Sequence, residues 1–139
     1  MKLQLVETNP YNYTATSESG YAYKIMANPT LSGQDAEGLR PMEHLLSALA
    51  GCSAIDLRLI LTKQRQNVHQ IRAEVSAIRH EDKVPATFKS IHLDYFVRGE
   101  DLEESKVTKA AKLSLEKYCS VMKHLEATIK ISHSISIEK

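Results

Sequence analysis

The stretch over residues 38–61, GLRPMEHLLSALAGCSAIDLRLIL, constrains the fold of this chain most strongly. Pro41 stands at its start, where a proline costs no helical hydrogen bond. Glu43 follows within the first turn, where a carboxylate interacts favourably with the helix dipole. At about 100° per residue, the apolar side chains leave only a narrow polar strip. The pattern predicts a central helix over about residues 41–65, buried on nearly all sides, with Cys52 near its middle.

Length and composition narrow the function classes. A chain of 139 residues with 42% hydrophobic and 25% charged residues is typical of one globular domain, here 1–139. The net charge of +1 provides no basic surface for nucleic acid or an anionic membrane. No apolar run reaches the roughly 18 to 20 residues of a membrane span, and the N-terminal segment lacks a signal-peptide core. We therefore expect a cytoplasmic protein without nucleic-acid or membrane partners.

Apolar side chains at alternate positions predict the strands. Three half-buried strands are expected within residues 2–26, two within 71–97, and one over 129–137. A second helix is expected over about residues 102–118. The segment over residues 28–39 is rich in turn residues and is predicted to be a polar loop. This order favours an α+β fold of mostly antiparallel sheets packed on two helices. Because one sheet cannot cover all sides of the central helix, we also expect a homodimer.

Two segments carry a family likeness. The first has the helix start Pro-x-Glu-x-Leu-Leu at residues 41–46, followed by Gly-Cys at 51–52. The second is Tyr-Cys-Ser-Val at 118–121. Together they resemble the OsmC/Ohr superfamily of osmotically inducible and organic hydroperoxide resistance proteins. The resemblance implies an OsmC-like fold and an intertwined homodimer with sites at the subunit interface. It also implies a thiol peroxidase, in which Cys52 matches the cysteine that attacks the peroxide and Cys119 the one that resolves the sulfenic acid.

This chemistry requires a thiolate, which a neighbouring guanidinium favours and a paired carboxylate can orient. In the family, the arginine that favours the thiolate comes from the N-terminal strands. Residues 1–39 of this chain contain no arginine, so Arg40 or Lys24 must supply that positive charge. Glu43 stands one position later than the carboxylate of the enzymes, which places the chain closer to the OsmC-like members. It is also half a helical turn out of phase with Cys52, so it reaches the thiol only across the dimer or from a frayed first turn. Asp56, one turn after Cys52, would repel a thiolate.

The leading hypothesis is a cysteine-based peroxidase, active in oxidative stress, with Cys52, Cys119, Glu43 and Arg40 as catalytic residues. It reduces organic hydroperoxides through an intrachain disulfide, and the resemblance suggests a dithiol reductant such as a lipoylated protein. The rival is a non-catalytic dimer that binds a small apolar molecule or keeps its cysteines as redox-sensitive residues. No cofactor or metal is expected. A zinc site of Cys52, Cys119 and a histidine is less favoured, because the short C-x-x-C spacing is missing.

Overall fold

The computed structural model describes all of residues 1–139 and divides the chain into two compact units, residues 1–46 and 47–139. The elements are β1 (Leu3–Asn9), β2 (Asn12–Ser17), β3 (Ala22–Met26), α1 (Pro29–Ser32), α2 (Pro41–Lys63), β4 (Asn67–Arg79), β5 (Phe88–Glu100), α3 (Glu104–Leu113), α4 (Ser120–Leu125) and β6 (Lys130–Glu138), with a π-helical turn at Ser114–Tyr118. The predicted α+β class is confirmed. The single domain stays a prediction.

The first unit is built on an antiparallel sheet in the order β1-β2-β3. The polar segment that follows contains the short helix α1, which was not predicted from the sequence. Its end is held to β3, because the Met26 sulfur accepts the N–H groups of Glu37 and Gly38 at 3.1 and 3.3 Å. Gly38 is required there, since a Cβ would lie 2.7 Å from the Lys24 carbonyl oxygen. This anchored segment brings Arg40 to the start of α2.

Strand β1 differs from the expectation of a half-buried strand. All seven of its residues are exposed, including Leu3 and Leu5, which are 55% and 52% exposed. The strand that the alternation of apolar side chains predicts is present. The predicted burial of its apolar side chains is wrong for a single chain, because no element of this chain covers this edge strand.

The second unit contains a sheet in the order β4-β5-β6. β4 and β5 are antiparallel, whereas β5 and β6 are parallel. The chain between β5 and β6 crosses over through two helices and a π-helical turn, and a crossover of this length permits parallel pairing. The sheets are therefore mostly antiparallel, as predicted, with one parallel pair that was not. The core of this unit is formed by alternate residues of β5 and one face of α3 (Ile91, Leu93, Tyr95, Val97, Val107, Ala110, Ala111).

Helix α2 buries only one stripe within a single chain. Its buried residues, Leu49, Ser53, Leu57 and Leu61, are spaced by four and so lie on one face. Ile55 is 64% exposed, and other apolar residues outside the stripe are also open. The expectation of a helix buried on nearly all sides is thus not met by one copy. By length and composition this helix also qualifies as a membrane span, contrary to expectation, although core helices of soluble proteins pass the same criterion.

The second helix is shorter and more divided than the predicted 102–118. α3 begins at Glu104, and its continuation widens into the π-helical turn, where the Cys119 N–H donates to the Ser114 carbonyl at 2.8 Å. Cys119 then starts the unpredicted helix α4, and its sulfur accepts the Met122 N–H at 3.4 Å. The widened turn and the new helix together fix the position of Cys119.

Candidate functional site

The structure brings the two cysteines together from different elements. Cys52 lies in the middle of α2, and Cys119 lies at the junction of the π-helical turn and α4. Their sulfur atoms and a carboxylate oxygen of Asp56 all lie within 4.8 Å of one another. Both cysteines are free thiols in this structure. The pair that the sequence singled out is therefore close enough to form a disulfide after a small movement.

The two thiols differ in their surroundings. Cys119 is fully buried, whereas Cys52 is half-buried on α2. Burial raises the pKa of the Cys119 thiol to about 11, the adjacent Cys52 sulfur acts in the same direction, and the Met122 N–H opposes the shift. Cys119 is consequently a neutral thiol at physiological pH. Cys52 is therefore the more accessible of the two thiols.

A buried hydrogen-bonded group is centred on Ser53, the residue after Cys52. The Ser53 hydroxyl donates to the Leu49 carbonyl at 2.8 Å, and the Tyr95 hydroxyl lies 2.5 Å from the Ser53 oxygen. The Ser114 hydroxyl donates to the Ser53 carbonyl at 2.6 Å. These bonds join α2 to β5 and to the π-helical turn, so they hold the elements that carry both cysteines. No sequence motif indicates this group, apart from Ser53 being the residue directly after Cys52.

The buried Tyr95 predicts a loss of stability at alkaline pH. Burial raises the pKa of Tyr95 from 10.0 to about 12. The neutral phenol is thus favoured in the folded state, and the stability it provides is complete below pH 10 and is lost as the pH rises towards 12. Wild type should lose free energy of unfolding as the pH rises from 9 to 12, and Tyr95→Phe should lose less by on the order of 2 kcal/mol. Urea unfolding across pH 9–12 measures the difference.

The control for that experiment is Tyr21→Phe, because the Tyr21 ring is 80% exposed. At neutral pH, Tyr95→Phe should cost about 1 kcal/mol, since a buried hydrogen bond to Ser53 is lost. Identical alkaline slopes for wild type and Tyr95→Phe would contradict this account of the buried phenol.

Arg40 and Glu43 form a close ion pair at the start of α2. An Arg40 guanidinium nitrogen lies 2.7 Å from one carboxylate oxygen of Glu43, and the Arg40 backbone N–H donates to the other at 2.9 Å. The side-chain hydrogen bond from Arg40 is the main reason that the pKa of Glu43 lies below its usual value. Both residues belong to the first compact unit, whereas both cysteines belong to the second. The alternative cation, Lys24, is paired with Glu37 at 3.1 Å.

A pocket of about 220 Å³ adjoins the thiol cluster through Asp56. Most of its wall is apolar. The lining includes both the apolar and the polar side chains (Asp56, Leu59, Ile60, Lys63, Gln64, Leu113, Tyr118). The Gln64 side-chain oxygen is buried without a hydrogen-bond partner. Sequence reasoning missed this pocket, because its walls come from α2 and from the residues around the π-helical turn. Its size and lining suit a small molecule that is mainly apolar.

The chain resembles known proteins over most of its length. A family model described as "OsmC-like protein" matches residues 33–134. Protein YhfA of Escherichia coli (strain K12) is 40% identical over 124 residues, which cover 89% of this chain and 90% of YhfA.

Two solved structures share the fold. The OsmC-like protein from Mycoplasma pneumoniae superposes with a TM-score of 0.84 at 18% identity, covering 99% of this chain and 96% of that one. An organic hydroperoxide resistance protein OsmC from Legionella pneumophila gives a TM-score of 0.72 at 13% identity, covering 98% and 97%. The family match spans well over half of the chain, and the fold agrees with the resemblance seen in the two cysteine segments. This chain belongs to the OsmC-like protein family.

Proposed function

We propose that this protein is a thiol-dependent peroxidase that reduces organic hydroperoxides in the cytoplasm. The observation that carries the proposal is the juxtaposition of the Cys52 and Cys119 sulfurs within 4.8 Å. Membership of the OsmC-like family supports it, as does the fold shared with the Legionella organic hydroperoxide resistance protein. A buried cysteine used only for packing does not need a second thiol beside it.

The proposed reaction uses the two thiols in sequence. The Cys52 thiolate attacks the terminal peroxide oxygen, the O–O bond breaks, and the alcohol leaves after taking up a proton. The Cys119 sulfur then attacks the Cys52 sulfenic acid, so that water leaves and an intrachain disulfide forms. An external dithiol, for which a lipoylated protein is our candidate, restores both thiols by exchange. The burial of Cys119 suits the resolving role, since a neutral thiol does not compete for the peroxide.

The pocket beside Asp56 supports an organic substrate over hydrogen peroxide. Leu59, Ile60 and Leu113 provide apolar surface on which an alkyl or aryl group is removed from water. Hydrogen peroxide has no group that gains from this surface. We therefore expect binding energy from the pocket to favour hydroperoxides with a compact apolar body.

We propose that Arg40, oriented by Glu43, supplies the positive charge that the Cys52 thiolate needs. Asp56 lies within 4.8 Å of both sulfurs, and its negative charge opposes thiolate formation. The Arg40–Glu43 pair has the form that this role requires, because the Glu43 carboxylate accepts one hydrogen bond from the guanidinium and a second from the Arg40 backbone N–H. In this proposal, Arg40 reaches the thiol either by folding back or from the second copy of a dimer.

The role of Arg40 predicts a change in thiol reactivity. Arg40→Met is expected to slow the alkylation of Cys52 by iodoacetamide about tenfold or more at neutral pH, because a tenfold change corresponds to about 1.4 kcal/mol of lost interaction. Lys24→Met tests the alternative cation under the same conditions, since Lys24 is also an exposed, paired cation of the first unit. Unchanged alkylation in Arg40→Met, with circular dichroism showing an intact fold, would remove Arg40 from the mechanism.

We also propose that the functional form is a homodimer. One copy leaves Ile55 of α2 and the apolar residues of β1 exposed, which is unusual for the central helix and an apolar strand of a stable monomer. A second copy of the chain would cover these surfaces by the same residues on both sides, as two-fold symmetry requires.

Steady-state turnover tests the peroxidase proposal against the rival binding protein. With dihydrolipoamide as reductant, the reduced protein should consume cumene hydroperoxide catalytically and hydrogen peroxide at least about tenfold more slowly. The pocket itself favours neither hypothesis, because a non-catalytic protein would also bind an apolar molecule there. Binding of cumyl alcohol without any peroxide consumption would support the rival.

A further inference from the structure

We propose that the reduced protein binds one zinc ion through Cys52, Asp56 and Cys119. The two sulfur atoms and the carboxylate oxygen converge to within 4.8 Å of one another, although the three residues come from two separate helical segments. Thiolate and carboxylate are both established zinc ligands. From the sequence, only a histidine was a candidate for the third ligand, whereas the structure places Asp56 there.

The geometry is close to that of a metal site. Zinc bonds of about 2.3 Å to sulfur and 2.1 Å to oxygen in a tetrahedron set the ligand atoms roughly 3.6–3.8 Å apart. The present separations, at most 4.8 Å, close to these values with shifts of about 1 Å. Cys52 and Asp56 are one helical turn apart on α2, so their side chains share a face. Three protein ligands leave the fourth position to water, as in zinc sites that remain open.

The zinc site accounts for a residue that the peroxidase chemistry leaves unexplained. A carboxylate beside a nucleophilic thiol disfavours the thiolate, so Asp56 works against attack on a peroxide. Beside a divalent cation the same charge is favourable, because it adds to the attraction of the two thiolates. Zinc binds both sulfurs as thiolates, so its binding releases the protons that the thiols still carry to the solvent.

Zinc binding and disulfide formation exclude each other. The metal needs both sulfurs as thiolates, whereas oxidation joins them to each other and leaves no charged ligand sulfur. Zinc would therefore hold the thiols in a reduced, protected form. Two-electron oxidation of the pair by a hydroperoxide, which is reduced to an alcohol and water as the disulfide forms, would release the metal. This proposal does not rest on the peroxidase function, since it concerns only the reduced protein and the metal.

Titration of the reduced full-length protein with Co²⁺, and competition by Zn²⁺, tests the site in the absence of peroxide. We expect one Co²⁺ per chain, a sulfur-to-cobalt charge-transfer band, and displacement by one equivalent of Zn²⁺. In the wild-type chain, prior alkylation of Cys52 by iodoacetamide should abolish the band. This measurement needs no variant and so does not depend on how well a mutant folds.

Two carboxylate variants identify the third ligand. Asp56→Asn should weaken Zn²⁺ binding about tenfold or more, as loss of a ligand's charge demands. Asp82→Asn, at a carboxylate that is 86% exposed on the loop between β4 and β5, should leave the affinity unchanged. Metal binding without the charge-transfer band, or equal affinity in Asp56→Asn and wild type, would overturn the proposal.

Discussion

Replacing Cys52 with serine is expected to abolish the reduction of cumene hydroperoxide, with a loss of at least about a thousandfold in kcat/KM. A serine hydroxyl is not ionised at neutral pH and does not attack the O–O bond, whereas a thiolate does. The exchange of sulfur for oxygen at this half-buried position of α2 is nearly isosteric. The fold should therefore persist, and the loss can be assigned to chemistry.

Cys119→Ser is the matched comparison, because the same atom is exchanged at the other thiol. This variant should still reduce one equivalent of hydroperoxide and then stop at a Cys52 sulfenic acid, or proceed to sulfinic acid, since no resolving thiol remains. A sulfenic-acid trap followed by mass spectrometry distinguishes these products. If Cys52→Ser keeps its activity, or if both variants behave alike, the assigned division of roles is wrong.

The second large effect concerns assembly. Ile55→Lys should convert the proposed homodimer into a monomer, because it places a charge on each side of the apolar interface that we propose around α2. Ile55 is 64% exposed in a single chain, so the substitution is expected to cost a monomer little. Burying an unpaired ammonium group costs at least about 3 kcal/mol, which weakens association more than a hundredfold. Sedimentation velocity at micromolar concentration measures the change.

Ser105→Lys is the control for this experiment, since Ser105 is an exposed residue of α3 outside the apolar surface. It should sediment as the wild type does. A wild-type protein that remains a stable folded monomer at micromolar concentration would contradict the dimer, and so would an Ile55→Lys protein that still sediments as a dimer.

The order of elements could be predicted because it depends on local patterns. Alternation of apolar residues and the helical stretch over residues 38–61 report which face of each element is apolar, and the strands and α2 lie where these patterns indicate. The patterns do not specify which strands pair in a sheet or which element covers an apolar face. For this reason the parallel pairing of β5 with β6 was not foreseen, and neither was the exposure of β1 in a single chain.

The candidate site could be predicted in part for a similar reason. Cys52 and Cys119 were identified by motifs, and the structure places their sulfurs together. The π-helical turn that positions Cys119 comes from a shift of hydrogen bonds that no periodicity reveals. Asp56 was seen only as a charge one turn from Cys52, because its proximity to Cys119 depends on how α2 packs against that turn. The place of Arg40 in the mechanism stays a prediction.

Disulfide mapping tests the central claim most directly. The reduced wild-type protein is treated with one equivalent of cumene hydroperoxide, the remaining thiols are blocked, and the digest is analysed by mass spectrometry without reduction. The proposed mechanism predicts that both thiols disappear together and that a linked pair of peptides joins Cys52 to Cys119 within one chain. Two thiols that remain titratable after this treatment would contradict it.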